Sequence, residues 1–133
     1  MQLKRDTDYA LRILFCLTKQ YGGKKEKLTI QELCQNTRIP KTIVFRLCCK
    51  LEEANLLKTT DTAEGYTSYS IESETLNKTV WDVIQATEGN CNIFAIFDRS
   101  TELFCHCKDS FEDTNRLLTE ALKCMTLKEF QKN

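Results

Sequence analysis

The spacing of apolar residues along the chain predicts a mainly helical protein. Apolar residues lie on nearly every side of a helix expected at about 7–21, which is typical of a helix at the centre of a core. Thr29 and Glu32 have the spacing of a capping box and predict the start of a short second helix. A tight turn is expected at 36–39, and Pro40, the only proline, stands where a third helix would begin.

The third helix has the clearest periodicity. Its apolar residues recur at spacings of three and four on one face: Ile43, Val44, Leu47, Cys48 and Leu51. Segments 56–60 and 66–71 have the composition of strands, and the turn expected at 61–65 would join them in a hairpin. The pattern therefore predicts three helices followed by two strands.

The second half of the chain predicts two further helices. A short amphipathic helix is expected at about 78–88, followed by a loop of about twenty residues, a length that is usually functional in a compact domain. The predicted loop contains three cysteines and the only histidine: Cys91, Cys105, His106 and Cys107. A last helix is expected at about 110–125. Little of the chain remains to cover its apolar side, which favours a second copy of the chain as partner; packing onto the first helix is the alternative.

The net charge of zero hides two halves of opposite sign. Residues 1–60 hold 12 basic and 6 acidic side chains, whereas residues 61–133 hold 7 and 13. A basic half favours a polyanionic partner, although chance segregation on the surface is the alternative. We find neither an apolar run long enough to span a membrane nor the h-region of a signal peptide, so a cytoplasmic protein without a membrane partner is expected.

Eight cysteines without a secretion signal favour reduced thiols over disulfides. Four of them are expected to pack in helices among apolar neighbours: Cys16, Cys34, Cys48 and Cys124. The three in the predicted loop are candidates for metal binding or redox sensing. Catalysis is not expected, because one histidine, no nucleotide-binding loop and no triad-like set leave no catalytic machinery.

The order of the predicted elements is that of a winged helix-turn-helix: mainly α with a small β wing, followed by a long C-terminal dimerisation helix. Residues 1–75 are the predicted DNA-binding region, and 76–133 hold the cysteine loop and dimerisation helix within one compact domain. Outward side chains of this region are expected to contact DNA; the alternative interpretation is that they form ordinary solvated surface. The candidate DNA contacts are Thr29, Lys41, Thr42, Phe45, Arg46, Lys50 and Lys58.

Several motifs resemble those of a known family. They are residues 1–3 (MQL) with 7–12 (TDYALR), 51–58 (LEEANLLK), 79–89 (TVWDVIQATEG) and 126–130 (TLKEF). Together they resemble the Rrf-two family of bacterial winged-helix transcription regulators, which includes nitric-oxide-responsive, iron–sulfur-responsive and cysteine-metabolism repressors. The resemblance implies a dimeric repressor that binds double-stranded operator DNA and responds to an iron–sulfur cluster or to cysteine redox state.

The resemblance also implies ligands for a [2Fe–2S] or [4Fe–4S] cluster. The implied thiolates are Cys91, Cys105 and Cys107, with Asp8 or His106 as a fourth ligand. A thiol switch that pairs Cys91 with one of the other two cysteines is the alternative.

Two features depart from the family pattern. The wing, residues 59–66 (TTDTAEGY), carries acids where the family usually has a basic residue and a Gly-Gly pair. Cys91 and Cys105 are 14 positions apart, and Phe97 and Asp98 stand where a middle cysteine is expected. A cluster-free winged-helix regulator and an interaction adaptor that does not bind DNA therefore remain alternatives.

Overall fold

The computed structural model describes residues 5–89 and 102–132, with side chains for 5–89 and 113–131. The α-helices are α1 (Arg5–Gln20), α2 (Ile30–Thr37), α3 (Lys41–Glu53), α4 (Val80–Glu88) and α5 (Glu102–Cys124). The strands are β1 (Leu28–Thr29), β2 (Lys58–Asp61) and β3 (Thr67–Ser70), and two 3₁₀ helices span Ser73–Asn77 and Leu127–Lys132. The predicted fold class, mainly α with a small β wing, is confirmed.

The centre of the core is α1, as its apolar pattern predicts. Ala10, Ile13, Leu14 and Leu17 are fully buried, and the helix contacts α2, α3, α4 and the C-terminal 3₁₀ helix. Full burial of a leucine or isoleucine side chain contributes about 1.5–3 kcal/mol relative to exposure. The N-terminal and C-terminal parts of the chain therefore share one apolar core.

Local signals set the ends of α2 and the start of α3. The predicted capping box is present: the Glu32 amide donates to the Thr29 hydroxyl, and the Glu32 carboxylate accepts from the Thr29 amide. Arg38 follows α2 in the left-handed conformation, with φ of 60°, and its amide donates to the Cys34 carbonyl. Pro40 then directly precedes α3, as expected of a residue that fits the first turn of a helix.

The wing is part of a three-stranded antiparallel sheet. The strand order is β1-β3-β2, and the predicted β2–β3 hairpin is confirmed, with Lys58 opposite Ser70. The sequence did not predict β1, in which Leu28 pairs with Tyr69. A strand of two residues carries no detectable alternation, and its pairing depends on a partner far along the chain. This strand fixes the wing against the start of α2.

The helix α4 begins and ends close to the predicted positions. Thr79 and Asp82 form a second capping box, and Gly89 ends the helix with φ of 71°. The chain that leaves α5 returns to this point, because the Val80 amide donates to the Met125 carbonyl at 2.9 Å. The start of α4 and the end of α5 are thereby joined.

The structure corrects the predicted start of α5. This helix begins at Glu102 rather than near Ser110, so Cys105, His106 and Cys107 are helical and do not lie in a loop. No glycine or proline interrupts residues 102–124, and nothing in the local sequence therefore stops the helix. The part of the predicted loop at 90–101 lies outside the described residues. None of the helices in the described part of the chain has the length and apolarity to cross a bilayer.

Candidate nucleic-acid interface

The two faces of α3 differ as the sequence predicts. Four apolar side chains are buried and a fifth, Ile43, is half-buried; the buried set is Val44, Leu47, Cys48 and Leu51. The opposite face is solvent-exposed and carries most of the candidate DNA contacts: Lys41, Thr42, Phe45, Arg46 and Lys50. Burial of one face against α1 therefore leaves the other free to meet a ligand.

Arg46 is engaged within the protein. Its Nη1 and Nη2 atoms donate to the two carboxylate oxygens of Asp6 on α1, at 2.8 and 3.1 Å. This bidentate pair is partly exposed, with the Arg46 side chain 49% accessible, so water weakens it. Arg46 is thus held at the junction of α1 and α3 while remaining within reach of solvent.

Thr29 has a structural role that the DNA-contact prediction did not include. Its side chain is half-buried and its hydroxyl belongs to the capping box of α2. The Glu32 carboxylate in this box also pairs with Lys25, and that contact, more than its desolvation, places the pKa of Glu32 below its ordinary value.

The wing turn is closed by its own hydrogen bonds. The Thr62 amide donates to the Tyr66 carbonyl at 2.8 Å, and the Tyr66 amide donates to the Thr62 hydroxyl at 3.1 Å. Gly65 has φ of 86°, a conformation that other residues rarely adopt. The Asp61 carboxylate accepts from the Thr67 hydroxyl, and Lys58 is exposed where the wing leaves the core.

A groove of about 360 Å³ separates the N-terminal half of α3 from the wing. Phe45 borders it from α3 and is 57% exposed, and Tyr66 borders it from the wing and is 63% exposed. Gln31 and Lys41 also line it. The sequence reasoning did not single out Tyr66, although an aromatic residue directly after the turn glycine is a signal that could have done so.

The N-terminus of α1 connects α3 to the end of α4. Next to Asp6, the hydroxyl of Thr7 shares a hydrogen bond of 2.7 Å with Thr87 and donates to the Glu88 carboxylate at 3.0 Å. Gly89 then ends α4, two positions before Cys91. The exposed face of α3 and the end of α4 therefore adjoin the same end of α1.

The candidate metal ligands are not assembled within the described residues. The Asp8 carboxylate pairs with Arg12 at 2.9 Å and is exposed. Cys91 lies outside the described residues, and only the backbone is described for Cys105, His106 and Cys107. The described side chains form no group of three or more histidine, cysteine or acidic residues able to hold a metal ion.

The five cysteines whose side chains are described are free thiols. Burial raises the pKa of Cys48 to about 12, and burial also raises the pKa of Cys16. The packing role is confirmed for Cys48, which is fully buried, whereas Cys16 and Cys34 are half-buried. It is wrong for Cys124, which is exposed at the end of α5.

The fold and the exposed face of α3 define a winged helix-turn-helix, in which the second helix of the motif is the recognition helix for the major groove. The model of the Rrf2 family, described as an iron-dependent transcriptional regulator, matches residues 3–133, and the chain belongs to this family. It is an Rrf2-type transcriptional regulator, in agreement with the Rrf-two resemblance of its motifs.

Individual relatives match over nearly the whole chain. The HTH-type transcriptional regulator NsrR of Bacillus subtilis is 25% identical, over 100% of this chain and 92% of its own. The structure of CymR, the global cysteine regulator of B. subtilis, superposes with a TM-score of 0.78 at 20% identity and covers 98% of this chain and 96% of its own. T. potens IscR has a TM-score of 0.75 at 21% identity, and the match covers 99% of this chain and 87% of the IscR chain.

Proposed function

We propose that the protein is a dimeric repressor that binds operator DNA through α3 and the wing. The observation that carries the proposal is the exposed face of α3, which presents Lys41, Thr42 and Lys50 beside the β2–β3 hairpin. Cations at these positions suit phosphate contacts, and the N-terminal half of a recognition helix suits contact with base edges. Membership of a family of transcription regulators supports the same function.

The test is selection from a pool of random-sequence duplexes, followed by affinity measurements over a range of salt concentrations. We expect a near-palindromic sequence with half-sites about one helical turn apart, or a multiple of that distance. If Lys41 contacts a base, Lys41→Ala should weaken the free energy of DNA binding by about 1–3 kcal/mol. If it contacts a phosphate, the slope of log K against log salt should decrease in magnitude by about 1.

Lys128→Ala is the matched control, because Lys128 is exposed on the C-terminal 3₁₀ helix, outside α3 and the wing. It should leave both quantities unchanged. If selection enriches no sequence, the proposed sequence-specific DNA binding is contradicted. The better hypothesis is then a protein-interaction adaptor that does not bind DNA.

We also propose that the dimer forms through α5. This helix has 23 residues, and Leu117 is 62% exposed near its middle while Met125, just beyond its end, is 40% exposed. Exposed apolar side chains along and just beyond one long helix favour a second copy of this chain as the partner, because a symmetric dimer buries the same side chains of both subunits.

The third part of the proposal is that chemistry at Cys91, Cys105 and Cys107 controls the affinity for DNA. The support is position: the cysteine-containing segment follows α4, whose end bonds to Thr7, and the adjacent Asp6 holds Arg46 on α3. A change beyond the end of α4 therefore has a hydrogen-bonded route to the recognition helix.

The complete set of proposed cluster ligands does not fit one compact site. Two residues apart on an α-helix are separated by about 200° around its axis, so α5 does not present positions 105 and 107 on one face. A single site would take one of the two, with Cys91, and with Asp8 or His106 as further ligands. We derive no step through a cluster, and a metal-free thiol switch remains the second form of the proposal.

Iron and sulfide content after anaerobic purification distinguishes the two forms. It should be measured for the wild type, Cys91→Ala, Cys105→Ala and Cys107→Ala, with Cys124→Ala as control, and DNA affinity should be measured for each under reducing and oxidising conditions. Iron that is lost with Cys91 supports a metal sensor. Iron-free protein whose affinity depends on oxidant and on Cys91 supports a thiol switch. Affinity that is independent of all three cysteines contradicts the sensing role.

A further inference from the structure

The groove between α3 and the wing is bordered by exposed aromatic side chains. Phe45 and Tyr66 each expose more than half of their surface, and both line the same groove. A single exposed apolar residue is common on a protein surface and needs no explanation. Two large aromatic residues on opposite sides of one groove are a more specific arrangement, and Phe45 lies on the face of α3 that holds the basic side chains.

The wing side of this groove is poorly suited to binding phosphate. Residues 59–66 contain no lysine or arginine, whereas Asp61 and Glu64 are acidic. Asp61 accepts a hydrogen bond from Thr67, which holds its carboxylate at the strand. The cation that lines the groove, Lys41, belongs to α3 and not to the wing. The groove itself therefore offers apolar contact rather than charge.

The position of Phe45 restricts what it can contact. It is the fifth residue of α3, in the half of a recognition helix that approaches base edges. A phenyl ring neither donates nor accepts a conventional hydrogen bond, so it gains nothing from the polar edges of guanine, adenine or cytosine. Thymine alone presents an apolar group in the major groove, its 5-methyl group.

We propose that Phe45 reads thymine in the operator by packing on its 5-methyl group, with Tyr66 covering the same contact from the wing. This inference rests on the proposed DNA binding and names the base that one residue selects. It also accounts for an apolar side chain at the exposed centre of an otherwise polar face.

The test replaces thymine by deoxyuridine, which lacks only the methyl group. The probe is a duplex enriched by the selection described above, resynthesised with deoxyuridine at each thymine in turn. We expect one symmetric pair of positions at which the wild type loses about fourfold in affinity per half-site, the value for one buried methyl group.

Phe45→Ala should bind the thymine and deoxyuridine duplexes equally at that position, with an unchanged salt slope because no phosphate contact is lost. Phe45→Leu, which keeps an apolar side chain, should restore part of the discrimination. Gln35→Ala is the control: Gln35 is exposed on α2 and does not line the groove, so the discrimination should remain.

Two results would overturn the inference while leaving DNA binding in place. One is equal affinity of the wild type for thymine and deoxyuridine at every position. The other is discrimination that persists in Phe45→Ala. Failure of the wild type to select any duplex would instead remove the proposed function, and the inference with it.

Discussion

At the scale of single residues, Arg46 shows how a side chain on the recognition face can be held by its own protein. The two hydrogen bonds to Asp6 orient the guanidinium toward α1. Because the pair is partly exposed, water screens it, and a DNA phosphate could compete with Asp6 for the same guanidinium. The state of this pair therefore affects how many cations α3 can offer to DNA.

Asp6→Asn should release Arg46 and strengthen binding to the selected duplex. One added phosphate contact steepens the dependence of log K on log salt by about 0.9. Glu129→Gln, which removes an exposed carboxylate outside α3 and the wing, is the control for the change in net charge. An unchanged slope in Asp6→Asn, or a steeper slope that persists when Arg46→Ala is added, would contradict the prediction that Asp6 withholds Arg46 from a phosphate.

Cys48 and Tyr69 make the free energy of unfolding depend on pH in the alkaline range. Burial is the largest cause that raises the pKa of each to about 12, from 9.0 for the thiol and 10.0 for the phenol. Between pH 9 and pH 12 the unfolded chain releases protons that the folded chain retains. At neutral pH both groups are protonated in the folded and the unfolded chain, so their ionisation does not change the free energy of unfolding. As the pH rises through that range, the free energy of unfolding falls.

Urea titrations at several pH values from 8 to 11 measure this effect. The midpoint of the wild type should decrease above about pH 9. Tyr69→Phe keeps the ring and removes the phenol, so its midpoint should decrease less steeply above about pH 10. Identical profiles for the two proteins would mean that Tyr69 does not contribute.

At the scale of elements, local hydrogen bonds determine where helices begin. The capping boxes at Thr29 and Thr79 each join a side chain to the backbone three residues away. Thr29 therefore has two separate roles to test: it caps α2, and it is a candidate DNA contact.

Thr29→Ala should lower the free energy of unfolding by about 0.5–2 kcal/mol, because the α2 cap is lost. Thr29→Ser retains the hydroxyl and should remain close to the wild type. Thermal or urea unfolding in the absence of DNA measures the cap alone. A stability of Thr29→Ala equal to that of the wild type would mean that Thr29 does not stabilise α2.

At the scale of the whole molecule, the part of α5 whose side chains are described carries a large apolar residue that the rest of the chain leaves exposed. The helix contacts α4, yet Leu117 is 62% exposed, whereas Leu118 and Leu122 are half-buried. Leu117 is therefore the better position at which to test the dimer, because changing it removes little packing within one subunit.

Leu117→Glu should reduce the mass measured by light scattering from two subunits to one. A dimer interface over this position would bury an unpaired carboxylate, which is strongly unfavourable. Glu120→Gln, an exposed residue of the same helix, should leave the mass unchanged. A wild type that is monomeric at micromolar concentration would contradict the proposed dimer.

Periodicity and capping signals were sufficient to predict most elements of this protein. The central position of α1, the buried face of α3, the capping box at Thr29 and the β2–β3 hairpin were all predicted. They could be, because each depends on residues a few positions apart, whose contacts are determined by the repeat of one helix or strand. The candidate side chains on α3 followed from the same repeat.

Only the tertiary structure decided the features that join distant segments. Asp6 meets Arg46 across 40 positions and Thr7 meets Thr87 across 80, and no local pattern marks such partners. The same holds for β1 and for the groove that Tyr66 shares with Phe45. The early start of α5 was missed because its apolar stripe was followed only from about residue 110, although the uninterrupted helix-compatible sequence favours continued hydrogen bonding. The sequence by itself therefore determined the elements and their buried faces, whereas packing around α1 determined which exposed residues share a surface.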